Sequence, residues 1–163
     1  MKKNSLYVRN FVFGIEDSLV STVGLLSGIA TQNIPRTTVI MTGIIYIFVE
    51  AFSMAVGSFL SEESVEEYIS KSDVPDRIPA WGAVVMFISF IIAGFVPIAP
   101  YILFSDSIGV FSSIIISLII LFIVGFINAK FSKISPWRRA FRMSCLGGLA
   151  IAVGLLVGRF AKF

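Results

Sequence analysis

Residues Val49–Tyr68 read VEAFSMAVGSFLSEESVEEY. The first part closes an apolar run that begins at Thr37. The second holds Glu62, Glu63, Glu66 and Glu67 within six residues, and Glu50 stands inside the apolar part. An apolar run from Thr37 to Leu60 is long enough to cross a hydrocarbon core of about 30 Å, which takes roughly 17–25 helical residues. Reading it as a membrane span decides the fold and makes Glu50 the anomaly to be explained.

The whole chain supports that reading. Of its 163 residues 56% are hydrophobic and 14% charged, and mean hydropathy is +0.93. Soluble domains carry about 25% charge. Prolines at 35, 75, 79, 97, 100 and 136 fall between apolar runs or at their ends, where a missing N–H does least harm. They delimit five spans, about 12–30, 37–60, 80–96, 109–128 and 141–159. These lengths suit helices, because in lipid the backbone must satisfy its own hydrogen bonds. The expected fold is therefore all-α: one transmembrane domain over 1–163 with five helices, and a short acidic loop over 61–79. The basic start, running into an apolar stretch with no small-residue cleavage site, reads as the lead-in to a retained first helix.

Lys and Arg set the expected orientation. Lys2, Lys3, Arg9, Lys71, Arg77, Lys130, Lys133, Arg138, Arg139 and Arg142 share one side of such a topology. Arg36, Arg159 and Lys162 lie on the other. The N-terminus and the glutamate cluster are then cytoplasmic, and the C-terminus is outside or lumenal. The same basic residues account for the net charge of +3, so no nucleic-acid partner is implied. The single cysteine, Cys145, excludes an intramolecular disulfide. It reads as a buried small hydrophobe. Histidine is absent, which excludes His-ligated zinc or haem and any Ser–His or Cys–His pair. With no nucleophile–base pair and no phosphate-cradling loop, the chain does not read as an enzyme, and no resident cofactor is expected.

An acidic residue at the centre of a span costs about 2.5–3.5 kcal/mol on insertion scales. Asp17 and Glu50 meet that cost without a Lys or Arg at matching depth. Each is therefore a candidate proton carrier or cation ligand. Asp17, Ser21, Gly24 and Gly28 share a helix face, as do Glu50, Met54, Gly57 and Ser61. In antiparallel helices Asp17 and Met54 fall at similar depth. Carboxylate oxygens alone suit Mg2+, Ca2+ or Mn2+, and an added thioether moves the preference toward Fe2+. Plain helix packing also produces small faces, and a methionine in a membrane helix is more often core than ligand. Glu16 reads as solvated near the interface. Glu62/Glu66 and Glu63/Glu67 are like-charge i, i+4 pairs that repel by a few tenths of a kcal/mol. A bound cation would offset this.

The segment GIEDSLVSTVGLLSGIA, Gly14–Ala30, resembles the first-helix pattern of the vacuolar iron transporter family. EAFSMAVGSFLSEES, Glu50–Ser64, resembles its second-helix pattern S-M-x-x-G-E-Y-x-S. PIAPYIL, Pro97–Leu103, is similar to the proline pair ending its third helix, and Lys130–Gly158 to its basic loop and Gly-rich fifth helix. The resemblance implies export of Fe2+, often also Mn2+, from the cytoplasm in exchange for protons. It also implies a homodimer whose pathway lies between the first two helices of both subunits. By that resemblance Asp17 is the pathway aspartate and Met54 the methionine facing it. The family's Gly-Glu-Tyr is Gly57-Ser58-Phe59 here. Its eukaryotic members carry a long glutamate-rich insert after the second helix, where this chain has about twenty residues; Glu62, Glu63, Glu66 and Glu67 would be a reduced version of that collector. A short chain of this kind suits a prokaryotic plasma membrane, or a vacuole-type membrane in a eukaryote. The readings from other classes are a non-transporting scaffold or metal-sensing module, and a transporter of a different cation.

Overall fold

The computed structural model describes residues 3–32, 34–72, 75, 77–104 and 106–160. Among them every regular element is a helix. These are α1 (Lys3–Ala30), α2 (Arg36–Ser70), α3 (Arg77–Leu103), α4 (Asp106–Phe131) and α5 (Pro136–Phe160). All five are long and apolar enough to cross a membrane. With this composition, the chain is an integral multi-pass membrane protein. Of the basic residues that set the expected orientation, Lys2 and Lys162 lie outside the described residues.

The helices are longer than the apolar runs. The segment expected as an acidic loop from residue 61 is helical to Ser70. The helix ends where Lys71 turns left-handed at φ 51° and its N–H bonds the Glu67 carbonyl at 2.8 Å. Helix continues there because Ser61–Ser70 contains no Gly or Pro, and side-chain polarity alone does not break a helix. At 1.5 Å per residue the 35 residues of α2 span about 50 Å, well beyond a hydrocarbon core of about 30 Å. Likewise, α3 runs through Pro97 and Pro100 to Leu103 instead of stopping at residue 96. Prolines are tolerated within membrane helices, and Ser113 on α4 ties α3 at this point by donating to the Pro97 carbonyl at 2.7 Å.

Helix α1 touches the other four, and α3 lies along both α1 and α2. These two inner helices bury the largest share of their surface. In contrast, α2, α4 and α5 turn Phe48, Phe52, Ile119, Leu149 and similar residues outward. Such a surface suits lipid, which offers no penalty to exposed apolar groups. One core cluster joins Leu26, Ile47, Phe90 and Ile98 from α1, α2 and α3. A second joins Leu19, Ala93, Leu121 and Met143 from α1, α3, α4 and α5. Contrary to expectation, Cys145 is exposed. It lies on an outer face of α5, where a small weakly polar residue needs no protein cover.

Small residues set the close approaches. On α1, Gly24 and Gly28 meet Gly154 and Gly158 of α5 backbone to backbone. The Gln32 side chain also bonds the Gly158 carbonyl. In the stripe Asp17–Ser21–Gly24–Gly28, the two glycines form a helix-packing seam with α5. Ser18 is buried and donates to the Phe90 carbonyl of α3 at 2.6 Å.

Candidate functional site

Asp17 and Glu50 are each half-buried, near the middle of α1 and α2. Glu50 lies near enough to Asp17 for its charge to act on that carboxylate. Tyr46, one turn before Glu50, completes the group. Its hydroxyl lies near Ser21 and within the field of both carboxylates. Ser21 in turn donates to the Asp17 backbone carbonyl at 2.6 Å. Neither carboxylate has a Lys or Arg within 4 Å among the described residues. Tyr46 was not singled out from the sequence. Its i, i+4 spacing from Glu50 on an otherwise apolar helix was the available signal.

Met54 is placed differently. It lines a cavity of about 760 Å³ together with Glu16, Ser53, Gly57, Asn128 and Arg139. Asp17 does not line that cavity. It lines a smaller one of about 190 Å³ with Glu16, Val20 and Met143. Within one chain, then, the acid that shares a cavity with Met54 is Glu16. Glu16 is not the solvated interfacial group expected from sequence. It is half-buried, one carboxylate oxygen is buried without a hydrogen-bond partner, and Arg139 acts on it across the cavity. The reason is length: α1 begins at Lys3, so Glu16 falls near its middle and not near its start.

The four glutamates at the end of α2 do not act as one cluster. Glu62 is 4% exposed. Its Oε1 accepts from Arg9 at 2.8 Å, Asn10 at 2.6 Å and Ser58 at 3.0 Å. Glu62 lies one turn after Ser58 on α2 and accepts from its hydroxyl. Glu63 and Glu66 are half-buried and Glu67 is exposed. Glu66 lines a pocket of about 130 Å³ with Arg9 and Glu62. Among the described residues of one chain, no three Asp, Glu or Cys side chains converge closely enough to hold a metal ion.

The arrangement thus holds two levels of polar chemistry between α1 and α2. One is the Asp17–Glu50–Tyr46–Ser21 group at mid-depth. The other is a cavity lined by Met54 and Glu16, which Arg9 of the Arg9–Glu62 pair lines toward the glutamate end of α2. A carboxylate pair without a cationic partner in lipid is unfavourable unless protons or cations occupy it.

Comparison with known proteins agrees with the fold. The model of the VIT family matches residues 8–77 and 69–159. The two matched segments overlap at 69–77, so the break in the match falls at the α2–α3 connection. The chain is similar to vacuolar iron transporter 1 of Arabidopsis thaliana, 21% identical over 215 residues, covering 95% of this chain and 86% of that protein. It is also similar to vacuolar iron transporter 1 of Tulipa gesneriana, 20% identical, covering 93% of this chain and 86% of that protein. Vacuolar iron transporter homolog 2 of Arabidopsis thaliana is 27% identical over 165 residues, covering 93% of this chain and 82% of that protein. The first of these alignments is far longer than this chain of 163 residues, whereas the last runs to 165 residues. A match reaching from residue 8 to residue 159 places the chain in the VIT family, to which it belongs.

Proposed function

We propose that this protein transports a divalent transition metal, Fe2+ and also Mn2+, out of the cytoplasm in exchange for protons, and that it is not an enzyme. The observation that carries this reading is that Asp17 and Glu50, both half-buried at mid-depth on α1 and α2, have no basic partner within 4 Å among the described residues. Relatives named as iron transporters across nearly the whole chain support metal as the cargo.

Two carboxylates, a phenol and a hydroxyl supply hard oxygen donors, and Met54 adds a softer one nearby. Among the described residues, the donors of a single chain do not complete a coordination sphere. In a two-fold homodimer each ligand is doubled, so two Asp17 and two Met54 side chains would face the axis. The apolar outward face of α2, where Gly57 has nothing within 4 Å of an added Cβ, leaves room for that approach. Asp17 and Glu50 exchange a proton for a metal ion as the site alternates between sides, and no histidine is needed. The basic ends of α1, α4 and α5 orient the N-terminus to the cytoplasm. Glu63, Glu66 and Glu67 then lie on the cytoplasmic side and raise the local concentration of cations.

The test is flux in sealed liposomes carrying the purified protein, read with a trapped metal-sensitive dye, with and without a pH gradient. Saturable Fe2+ or Mn2+ flux that responds to the gradient and disappears in Asp17→Ala is the expected outcome. Folded, inserted protein that moves no divalent ion would overturn the proposal.

A further inference from the structure

Glu62 and Arg9 form the one ion pair within 4 Å among the described residues, and its geometry does not suit a metal ligand. Oε1 of Glu62 is already saturated by the Arg9 guanidinium, the Asn10 amide and the Ser58 hydroxyl. Asn10 also donates to Ser58 at 2.9 Å, which locks the set. Oε2 is buried with no partner, directly over Gly82 of α3. A Cβ at Gly82 would lie 2.5 Å from Oε2 and 2.9 Å from the Asn10 amide. The α3 backbone therefore seals that oxygen from a hydrated cation.

The position of the pair is informative. Arg9 and Ser61 line both the cavity of about 760 Å³ that holds Met54 and Glu16 and the pocket of about 130 Å³ that holds Glu66. The pair stands in the wall between them, with Arg9 54% exposed and Glu62 4% exposed. The charged groups lining the larger cavity are Arg9, Arg139 and Glu16. Without Glu62 that set carries one excess positive charge, facing the path of a divalent cation.

We infer that Glu62 is the fixed counter-charge that neutralises Arg9 at the mouth of the cavity, and that this neutralisation, not ligation by Glu62, admits the cation. Arg9 is then the residue that discriminates by charge at the mouth. The inference rests on the cation-transport reading, and it is tested by a readout that does not need transport. A cation meeting an unpaired guanidinium in a medium of effective dielectric about 20 is strongly disfavoured, whereas a neutral molecule is not.

The experiment uses the full chain in liposomes, with exposed Cys145 replaced by serine and cavity-lining Asn128 by cysteine. A trimethylammonium-ethyl thiosulfonate and a neutral hydroxyethyl thiosulfonate are compared for their rates of reaction at residue 128. Metal flux is followed in the same Cys145→Ser background without the residue 128 change. Glu62→Gln is expected to lower the cationic-to-neutral rate ratio at least about threefold and to lower metal flux at least about tenfold. Arg9→Gln/Glu62→Gln is expected to return both to within about twofold of the starting protein, and Arg9→Gln alone to raise the rate ratio. Flux that stays lost in the double variant would make Glu62 a ligand and overturn the inference. A rate ratio indifferent to Glu62→Gln and Arg9→Gln would overturn it as well. If the starting protein moves no metal, the transport reading falls, and the thiol ratios still decide whether the Arg9 charge controls access.

Discussion

The α-carbon of Gly154 on α5 sits against the carbonyl of Gly24 on α1, and one turn further Gly158 meets Gly28 in the same way. This seam holds α5 directly to the inner helix that carries Asp17. Gly154→Val should separate the helices and lower stability by about 1–3 kcal/mol, the usual cost of overpacking. Gly148→Val, at a position where an added Cβ meets nothing within 4 Å, should change it by under about 0.5 kcal/mol. Thermal unfolding in detergent compares the two.

Asp17 and Glu50 are expected to be separately necessary. Asp17→Asn and Glu50→Gln each keep the side-chain shape and remove the charge. A contact to a charged group is worth about 1.5–3 kcal/mol, so metal flux should fall at least about tenfold in each. Tyr46→Phe keeps both carboxylates and should cost only about two- to fivefold, the value of a neutral hydrogen bond. Liposome flux at saturating metal checks the order.

Met54→Leu conserves volume and apolar character, so unfolding should shift by less than about 1.5 kcal/mol. The loss of the thioether should instead move preference from Fe2+ toward Mn2+, since sulfur favours the softer ion. Competition of the two metals in one liposome assay reads this directly. An unchanged ratio would return Met54 to a packing role against the α1–α2–α3 core, where it also makes contact.

Glu63, Glu66 and Glu67 are half-buried or exposed. Their triple replacement by glutamine should leave stability within about 0.5 kcal/mol. It should raise the KM for metal while leaving the maximal rate unchanged, because these residues concentrate cations without touching the mid-membrane group. The effect should shrink as ionic strength rises through 0.1 M, where charges more than about 10 Å apart are screened. Flux measured across a salt series separates this from a direct ligand role.

Much of this protein is determined by its sequence alone. The five helices follow from apolar runs of spanning length, because a bilayer leaves the backbone no other partner than itself. Asp17 and Glu50 were legible as a pair of misfits for the same reason: a charge in lipid is costly wherever the helix is placed. Only the tertiary structure decided which acids remain available. Glu62 looked like its neighbours in sequence, yet it is taken by Arg9, 53 residues away. Glu16 looked interfacial, yet it lines the cavity with Met54. Gly24 and Gly28 share a face with Asp17 in sequence, and only the structure shows that they pack on α5. Hydropathy is a property of each segment by itself, and it sets what must cross the membrane. Pairing and burial depend on which faces meet, and α3 decides that by packing along both α1 and α2 and closing over Glu62 at Gly82.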